Sequence, residues 1–174
     1  MAKLKGNTIQ YSVYDRTKGK AKKVADTTTY TRPPIEKMTE TFAGSAVPGE
    51  IDLPAYLALN SMEGAIGFTQ SNDDVVELFT PVAHKIEVRW VAETLNSATG
   101  NMEICAYKEL ITMLPKNLDL GELENNTANE NELAYEVLAY ELIIDGKSKI
   151  KIDKLNNVLK INGTDYASKV RNAL

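Results

Sequence analysis

Alternation between apolar and polar positions dominates this chain. In Asn7–Asp15 (NTIQYSVYD), Ile9, Tyr11 and Val13 fall on one side and Thr8, Gln10, Ser12 and Tyr14 on the other. These residues are β-branched and aromatic, which predicts a strand. Similar extended runs follow at Val24–Thr31, Ile35–Phe42, Tyr56–Thr69, Glu132–Asp145 and through KIKIDKLNNVLKI. The two longest, His84–Asn96 and Met102–Pro115, are joined by SATGN, where Gly100 suits a hairpin. In the first of these, Ile86, Val88 and Trp90 form an apolar face, while Glu87, Arg89 and Glu93 share the other with Val91. That alternation describes a sheet with a core on one side and water on the other.

Two stretches follow a helical rule instead. Asn72–Phe79 begins with a capping Asn72 and places Asp73 and Asp74 at the positive end of the helix dipole, and Pro81 stops it. Tyr166, Val170 and Leu174 recur at helical spacing and predict a terminal helix over about 165–174. About eight strands and two short helices make the chain mainly β. The expected form is one domain over 1–174, a sandwich or barrel-like pair of sheets with helices closing its ends.

The stretch around which the rest is organised is Gly49–Phe68 with the KMTETFAGSAVP before it. Ala43–Pro54 reads as a long loop, restricted by Pro48 and Pro54 and bent at Gly44 and Gly49. It carries no catalytic constellation or ligand motif, and its expected use is docking on another copy of the chain. Small residues in the Tyr56–Thr69 run predict close approach of other backbone. Lys116–Asn131 is an acidic loop rich in asparagine.

Charge changes this picture in one respect. The net charge is −4, but residues 1–37 hold nine Lys/Arg against three Asp/Glu, and the remainder eleven against twenty-one. A basic front and an acidic body present different signs on different faces. The acidic body disfavours nucleic-acid binding there, since phosphate attachment needs Lys/Arg. Lys18, Lys20, Lys22 and Lys23 fit a solvated hairpin tip better than a nucleic-acid or membrane patch; an outward basic patch meeting an acidic protein is the intermediate reading. No run approaches ~18 apolar residues, so no transmembrane helix is expected. The N-terminal MAKLKGNTIQ lacks a secretory core, and the single Cys105 excludes an internal disulfide framework, so folding in a reducing cytoplasm is expected.

Candidate chemistry is sparse. His84 is the lone histidine, with a structural role expected, and Cys105 sits in a strand as a small buried hydrophobe. P-loop, nucleophile-elbow and zinc spacings are missing. Asp73, Asp74 and Glu77 are read as a helix start, not a metal site. Tyr135 and Tyr140 have opposite parity and do not form one stacking platform. No catalytic residue, cofactor or metal is expected.

Four stretches carry a family resemblance: NTIQYSVYD, MTETFAGSAVPGEIDLP, VVELFTPVAHKIEVRW, and the C-terminal IDGKSKIKIDKLNNVLKINGTDYASKVRNAL. The GEIDLP and IDKLN…KINGTDY…KVRNAL elements are the most specific. The chain resembles the major tail tube proteins of contractile-tailed bacteriophages and phage-tail-like bacteriocins, nearly end to end, with Ala92–Glu132 the weakest match. The resemblance implies a β-sandwich protomer. Six protomers join edge to edge into a homohexameric ring whose inner sheets form a continuous β-barrel channel, and the rings stack.

The implied partners are the chain itself, the tail sheath protein, baseplate or tube-initiator and tail-terminator proteins, and tape measure protein or DNA in the lumen. The implied setting is the tail of a virion or a bacteriocin particle assembled in the bacterial cytoplasm, conducting DNA or ions. On this reading residues 42–54 dock ring on ring, with Phe42, Val47, Pro48, Glu50, Ile51, Asp52 and Leu53 as contacts. Glu63, Glu87, Arg89, Glu93 and Glu103 are candidates for the lumen wall, where carboxylates would repel DNA phosphates; parity alone leaves an outer solvated face equally open. The neighbouring expectation is a tube subunit of a type VI-like or extracellular contractile injection system. A β-barrel enzyme with paired carboxylates and a carbohydrate-binding sandwich are the alternatives from other classes, the latter disfavoured by 7% aromatic content.

Overall fold

The computed structural model describes residues 3–44 and 48–173. Four long antiparallel strands form its frame, in the spatial order β1 (Lys3–Asp15), β7 (His84–Asn96), β8 (Met102–Asp119) and β9 (Asn131–Ile144). Between β7 and β8 the register is unbroken from His84↔Met113 to Leu95↔Met102. β9 serves two partners on its far side. Its first half pairs with β6 (Glu63–Phe68) and its second half with β10 (Lys147–Asp153). β3 (Thr27–Thr31) extends the first branch, and β11 (Val158–Ile161) and β12 (Thr164–Asp165) the second. β2 (Lys22–Lys23) pairs with the end of β1. At the changeover, Val137 N–H bonds Met62 C=O at 2.9 Å and Lys154 N–H bonds Leu138 C=O at 3.0 Å.

One face of this branched sheet closes over Val13, Ile66, Phe68, Ile86, Val88, Ile111, Met113, Leu133 and Val137. The alternation expected for β7 is met: Ile86 and Val88 are buried, and Trp90 packs against them. Helix α1 (Asp73–Leu78) adds Val75 and Leu78 to the core, and Asn72 caps it by accepting the Val75 N–H at 3.0 Å. Each such side chain withdrawn from water contributes roughly 1.5–3 kcal/mol. His84 is buried and structural, with Nε2 3.1 Å from the Thr80 hydroxyl. Gly64 of β6 lies against the buried Tyr135: a Cβ there would sit 2.5 Å from the tyrosine oxygen.

Several expected boundaries move. Tyr56–Thr69 is not one strand. It breaks at Asn60–Met62, where Asn60 N–H bonds Glu36 C=O and Met62 N–H bonds the Glu136 carboxylate, so the backbone leaves the ladder. KIKIDKLNNVLKI is likewise two strands, because Asp153 accepts the Leu155 and Asn156 N–H groups and Asn157 turns the chain at φ 49°. Val24–Thr31 is shortened by Asp26 at φ 55°. β8 runs past Pro115 to Asp119 with a register shift there, since proline has no N–H to donate. The terminal helix α2 is a single turn, Ser168–Arg171. Its expected start is taken by β12, and Asp165 accepts from Ala167 N–H and Arg171; Leu174 lies outside the described residues. Twelve strands therefore replace about eight among the described residues.

Candidate functional site

The expected docking loop is strand at its Ala43 end and from Glu50 onward. β4 (Lys37–Ala43) and β5 (Glu50–Leu59) pair with each other and form a two-stranded sheet separate from the frame. The connection shrinks to residues 44–49, with Gly49 at φ 136° and Pro48 exposed; Val47 lies outside the described residues. Glu50, Ile51, Asp52 and Leu53 are strand residues, opposite Ala43, Phe42, Thr41 and Glu40. Opposed residues share a face, which sorts the arm into two sides. Phe42, Ile51 and Leu53 fall on one side and are 57%, 50% and 61% exposed. Thr41 and Asp52 fall on the other, with the hydroxyl donating to the carboxylate at 2.7 Å. A ribbon that turns its apolar side to water marks a contact surface.

Both roots of this arm are fixed by carboxylates. On the incoming side, Arg32 precedes Pro33–Pro34 and donates to the fully buried Glu109 of β8, Nε at 2.7 Å. Tyr30 and Tyr140 hydroxyls donate to the same carboxylate at 2.6 Å each. Burial, with the Glu109 charge beside them, pushes both phenols far up, so they remain donors. The Arg32 guanidinium also lies 4.9 Å over the Trp90 ring, which stacks on Tyr107. On the outgoing side, Glu136 accepts from the Ser61 hydroxyl at 2.5 Å, Met62 N–H at 3.2 Å and Lys154 at 2.9 Å. Burial alone would raise Glu136, but these donors outweigh it and hold it below the ordinary carboxylate value.

The frame has open edges. Beyond β7, β1 pairs only at Tyr14 and Asp15, so its Lys3–Ser12 edge has no strand partner among the described residues. On the other side, β9 pairing begins at Tyr107, leaving Met102–Cys105 of β8 open. Leu4, Ile9, Met102 and Ile104 are exposed along these edges. An unpaired edge is a template for another strand.

The polar face of the frame gathers three of the five predicted lining residues. Glu87, Arg89 and Glu93 alternate along β7 on the side away from the core. Glu87 is nevertheless fully buried: Arg16 at 2.7 Å, Lys108 at 3.7 Å and Arg89 cover it. Burial pushes this carboxyl up, and the three cations more than reverse that, holding it low. In the single chain the Glu87 carboxylate is thus covered by its cations and not turned to water. Around it Arg16, Lys85 and Arg89 are exposed and Lys108 is half-buried, and all four are cationic. Glu93 is partly buried beside Gly6, where a Cβ would lie 3.0 Å from its own. Glu103 is on the opposite face, bonded to Lys3 and Asn96, and Glu63 lies on β6 paired with Lys116.

Sequence reasoning passed over Glu109, Arg32 and Glu136. The signal for the first was present: Glu109 stands in the core phase of β8, with Ile111 and Met113. Among the described residues no group of three His/Cys/Asp/Glu is placed to hold a metal ion.

The profile of the family described as Phage tail tube protein FII matches residues 17–174. The tail tube protein of Escherichia phage P2 is 27% identical over 141 residues, covering 78% of each chain. A chain from the extended sheath-tube complex of the extracellular contractile injection system PVC shares the fold, with TM-score 0.52 at 10% identity over 78% of this chain and 88% of that one. A chain from the PVC sheath/tube terminator gives TM-score 0.50 at 10% identity, over 79% and 94%.

Proposed function

Because the chain belongs to the phage tail tube protein FII family, we propose that it forms hexameric rings that stack into the inner tube of a contractile tail. It is a structural protein, not an enzyme. The observation that supports ring stacking is the arm: a two-stranded ribbon, detached from the frame, with Phe42, Ile51 and Leu53 turned to water. Docked on the next ring, those three side chains leave water, with Glu40 beside them, while Glu50 and Asp52 on the ribbon's other side supply polar contacts.

Within a ring, the open edge of β1 in one subunit meets an open edge of its neighbour, so the frames merge into a closed barrel and no edge remains. The polar face of β1-β7-β8-β9 lines the channel, with Arg89 and Glu93 in its wall. DNA or a tape measure protein passes through without sequence-specific contacts, or ions pass in a bacteriocin particle. The outer surface meets the sheath, and the two ends meet a baseplate initiator and a terminator. The tube of an extracellular contractile injection system is the second reading, favoured by the fold shared with the PVC chains.

Negative-stain electron microscopy of the purified chain, with and without fragmented tails as seeds, tests this. Hollow rods of stacked rings are expected. Monomers alone, even with matching seeds, would overturn the proposal.

A further inference from the structure

Strand pairing sorts the polar face of the frame into rows, and positive charge collects in three of them. Opposed residues share a face, so Glu87 aligns with Tyr14 on β1, Leu110 on β8, Glu141 on β9 and Lys151 on β10. Arg89 and Lys108 make the row on one side of it, and Lys85 and Thr112 the row on the other. Lys23 stands opposite Tyr14 and borders the same face. Arg16 lies just past β1. Its N–H bonds the Lys85 C=O at 2.7 Å, and its side chain reaches Glu87. Arg16, Lys23, Lys85, Arg89, Lys108 and Lys151 thus gather on one face, although most of them come from the part of the chain that is acidic overall.

The carboxylates among them are already committed. Glu87 is fully buried beneath Arg16 at 2.7 Å, Arg89, and Lys108 at 3.7 Å, one negative charge under three positive ones. Glu141 accepts from the Ser148 hydroxyl at 2.7 Å and lies 3.5 Å from Lys151. Asp153 accepts the Leu155 and Asn156 N–H groups and the Asn156 amide, which closes its own turn. Lys23 and Lys85 make no ion pair among the described residues. Six cations therefore face three carboxylates, and the surplus is positive. The next acid along β7, Glu93, stands beyond Val91 and beside Gly6.

Glu87 also holds the groups above it in place. The side chains of Arg16, Arg89 and Lys108 stay 43%, 48% and 40% exposed while anchored to it. The Arg89 guanidinium is steadied further by the Tyr14 ring, 4.7 Å away. Anchored guanidinium groups lose less freedom on meeting an anion, and their fork matches two oxygens of a phosphate. A cleft of about 460 Å³ opens beside them, lined by Arg16, Lys85, Thr112, Glu141 and Lys151.

We infer that this cluster binds phosphate groups, and that its ligand is the phosphodiester chain of nucleic acid. The inference rests on the ring reading above and deepens it, since there the polar face lines the channel. Each ring then presents the same cluster once per subunit around its axis. A ligand that meets such repeated sites needs negative charge along its whole length and on every side. Double-stranded DNA carries one charge per about 1.7 Å of its axis. A polypeptide carries charge only where its sequence places Asp or Glu. The contact is made to the backbone and reads no sequence. A small surplus per subunit keeps each contact weak and salt-labile, so the chain slides along the wall.

Fluorescence anisotropy of a short labelled DNA duplex, titrated with the purified chain at rising salt, tests the site. Binding that falls with salt is expected. Lys23→Glu with Lys85→Glu changes two exposed lysines that hold no ion pair, so the melting temperature should stay within a few degrees. Affinity should drop about tenfold or more, and the log–log salt slope should become shallower by about 2. Lys37→Glu with Lys147→Glu makes the same charge change away from this face, on the arm and opposite Ile144, and should do far less. Equal losses from both pairs would show attraction to net charge alone and overturn the site. Tighter binding of a labelled polyglutamate peptide than of the duplex would give the cluster to an acidic protein and overturn it too. Tubes that form on seeds from a chain that does not bind the duplex would remove this site and leave the tube reading standing. Binding by a chain that never forms tubes would keep the site and remove the channel.

Discussion

Arg32 and Glu109 meet where the arm leaves the frame: the guanidinium is 52% exposed, and the carboxylate it holds is fully buried. The pair joins the residue before Pro33–Pro34 to the middle of β8, so the direction of the arm is set by the core sheet.

Removing Arg32 leaves Glu109 with its two phenol donors and uncompensated charge. Solvent reaches the vacated half-exposed position, so Arg32→Ala should cost about 1–3 kcal/mol. Glu109→Ala leaves the Tyr30 and Tyr140 hydroxyls without their acceptor beneath the half-exposed Arg32 and should cost about 3–5 kcal/mol. Urea denaturation checks both, and equal stabilities for Arg32→Ala and the unaltered chain would discard the role given to the pair. Limited proteolysis within residues 33–60 should quicken in Arg32→Ala and less so in Arg32→Lys.

The acid limb of stability should belong partly to Glu87. Arg16, Arg89 and Lys108 hold its folded carboxyl below the ordinary value. A carboxyl lowered on folding stabilises above its unfolded pKa, and that contribution is lost as pH falls through the lowered value. Glu87→Gln should therefore flatten the fall in stability below about pH 5, seen in thermal melts across pH. An unchanged acid limb would contradict this assignment.

Ile51→Asp and Leu53→Asp should leave the protomer's melting temperature within a few degrees, because both side chains are already in water. Stacking should fail all the same. Electron microscopy is expected to show isolated rings or monomers; normal rods would remove the arm from the ring-to-ring contact.

Gly64→Ala places a methyl group 2.5 Å from the hydroxyl oxygen of Tyr135, which is fully buried and has no room to retreat. A loss of about 1–3 kcal/mol is expected from overpacking. Tyr135→Leu deletes that oxygen and the ring carbons at 2.6 and 2.9 Å, and should recover part of the loss, making the double variant more stable than additivity requires. Strict additivity would show that the two do not touch.

Glu93, not Glu87, is the residue with which to probe the channel wall. Glu93→Lys alters a partly exposed carboxylate and should slow DNA delivery from intact tails if it faces the lumen. Unchanged delivery would place it elsewhere.

How much of this was legible in the sequence differs from residue to residue. The β7–β8 hairpin was legible because thirteen residues of alternation, His84–Asn96, overdetermine one register. The Asn72 cap was legible because capping is local chemistry. The break at Asn60–Met62 was not, since the groups that cause it, Glu36 and Glu136, come from outside the strand. The same is true of Glu87: its parity puts it on the polar face, but its burial comes from Arg16, just past the end of β1, and Lys108 on β8. The β4 side of the arm is legible as a strand up to Phe42, but Gly44, Pro48 and Gly49 cluster at the tip, and their turn chemistry makes Glu50–Pro54, the start of β5, read as loop.

A ribbon of only two strands gains little from its own pairing in water. In a lone subunit the arm is therefore a poor scaffold for contact, and the first contacts must also cover the cost of holding it in place. If rings stack as proposed, a subunit arriving at a finished ring meets arms already ordered by their neighbours, whereas a subunit meeting another lone subunit meets one that is itself unsupported. Initiation would then be slower than elongation, and the number of tubes would follow the number of starting points, with the supply of subunits deciding how quickly each one fills.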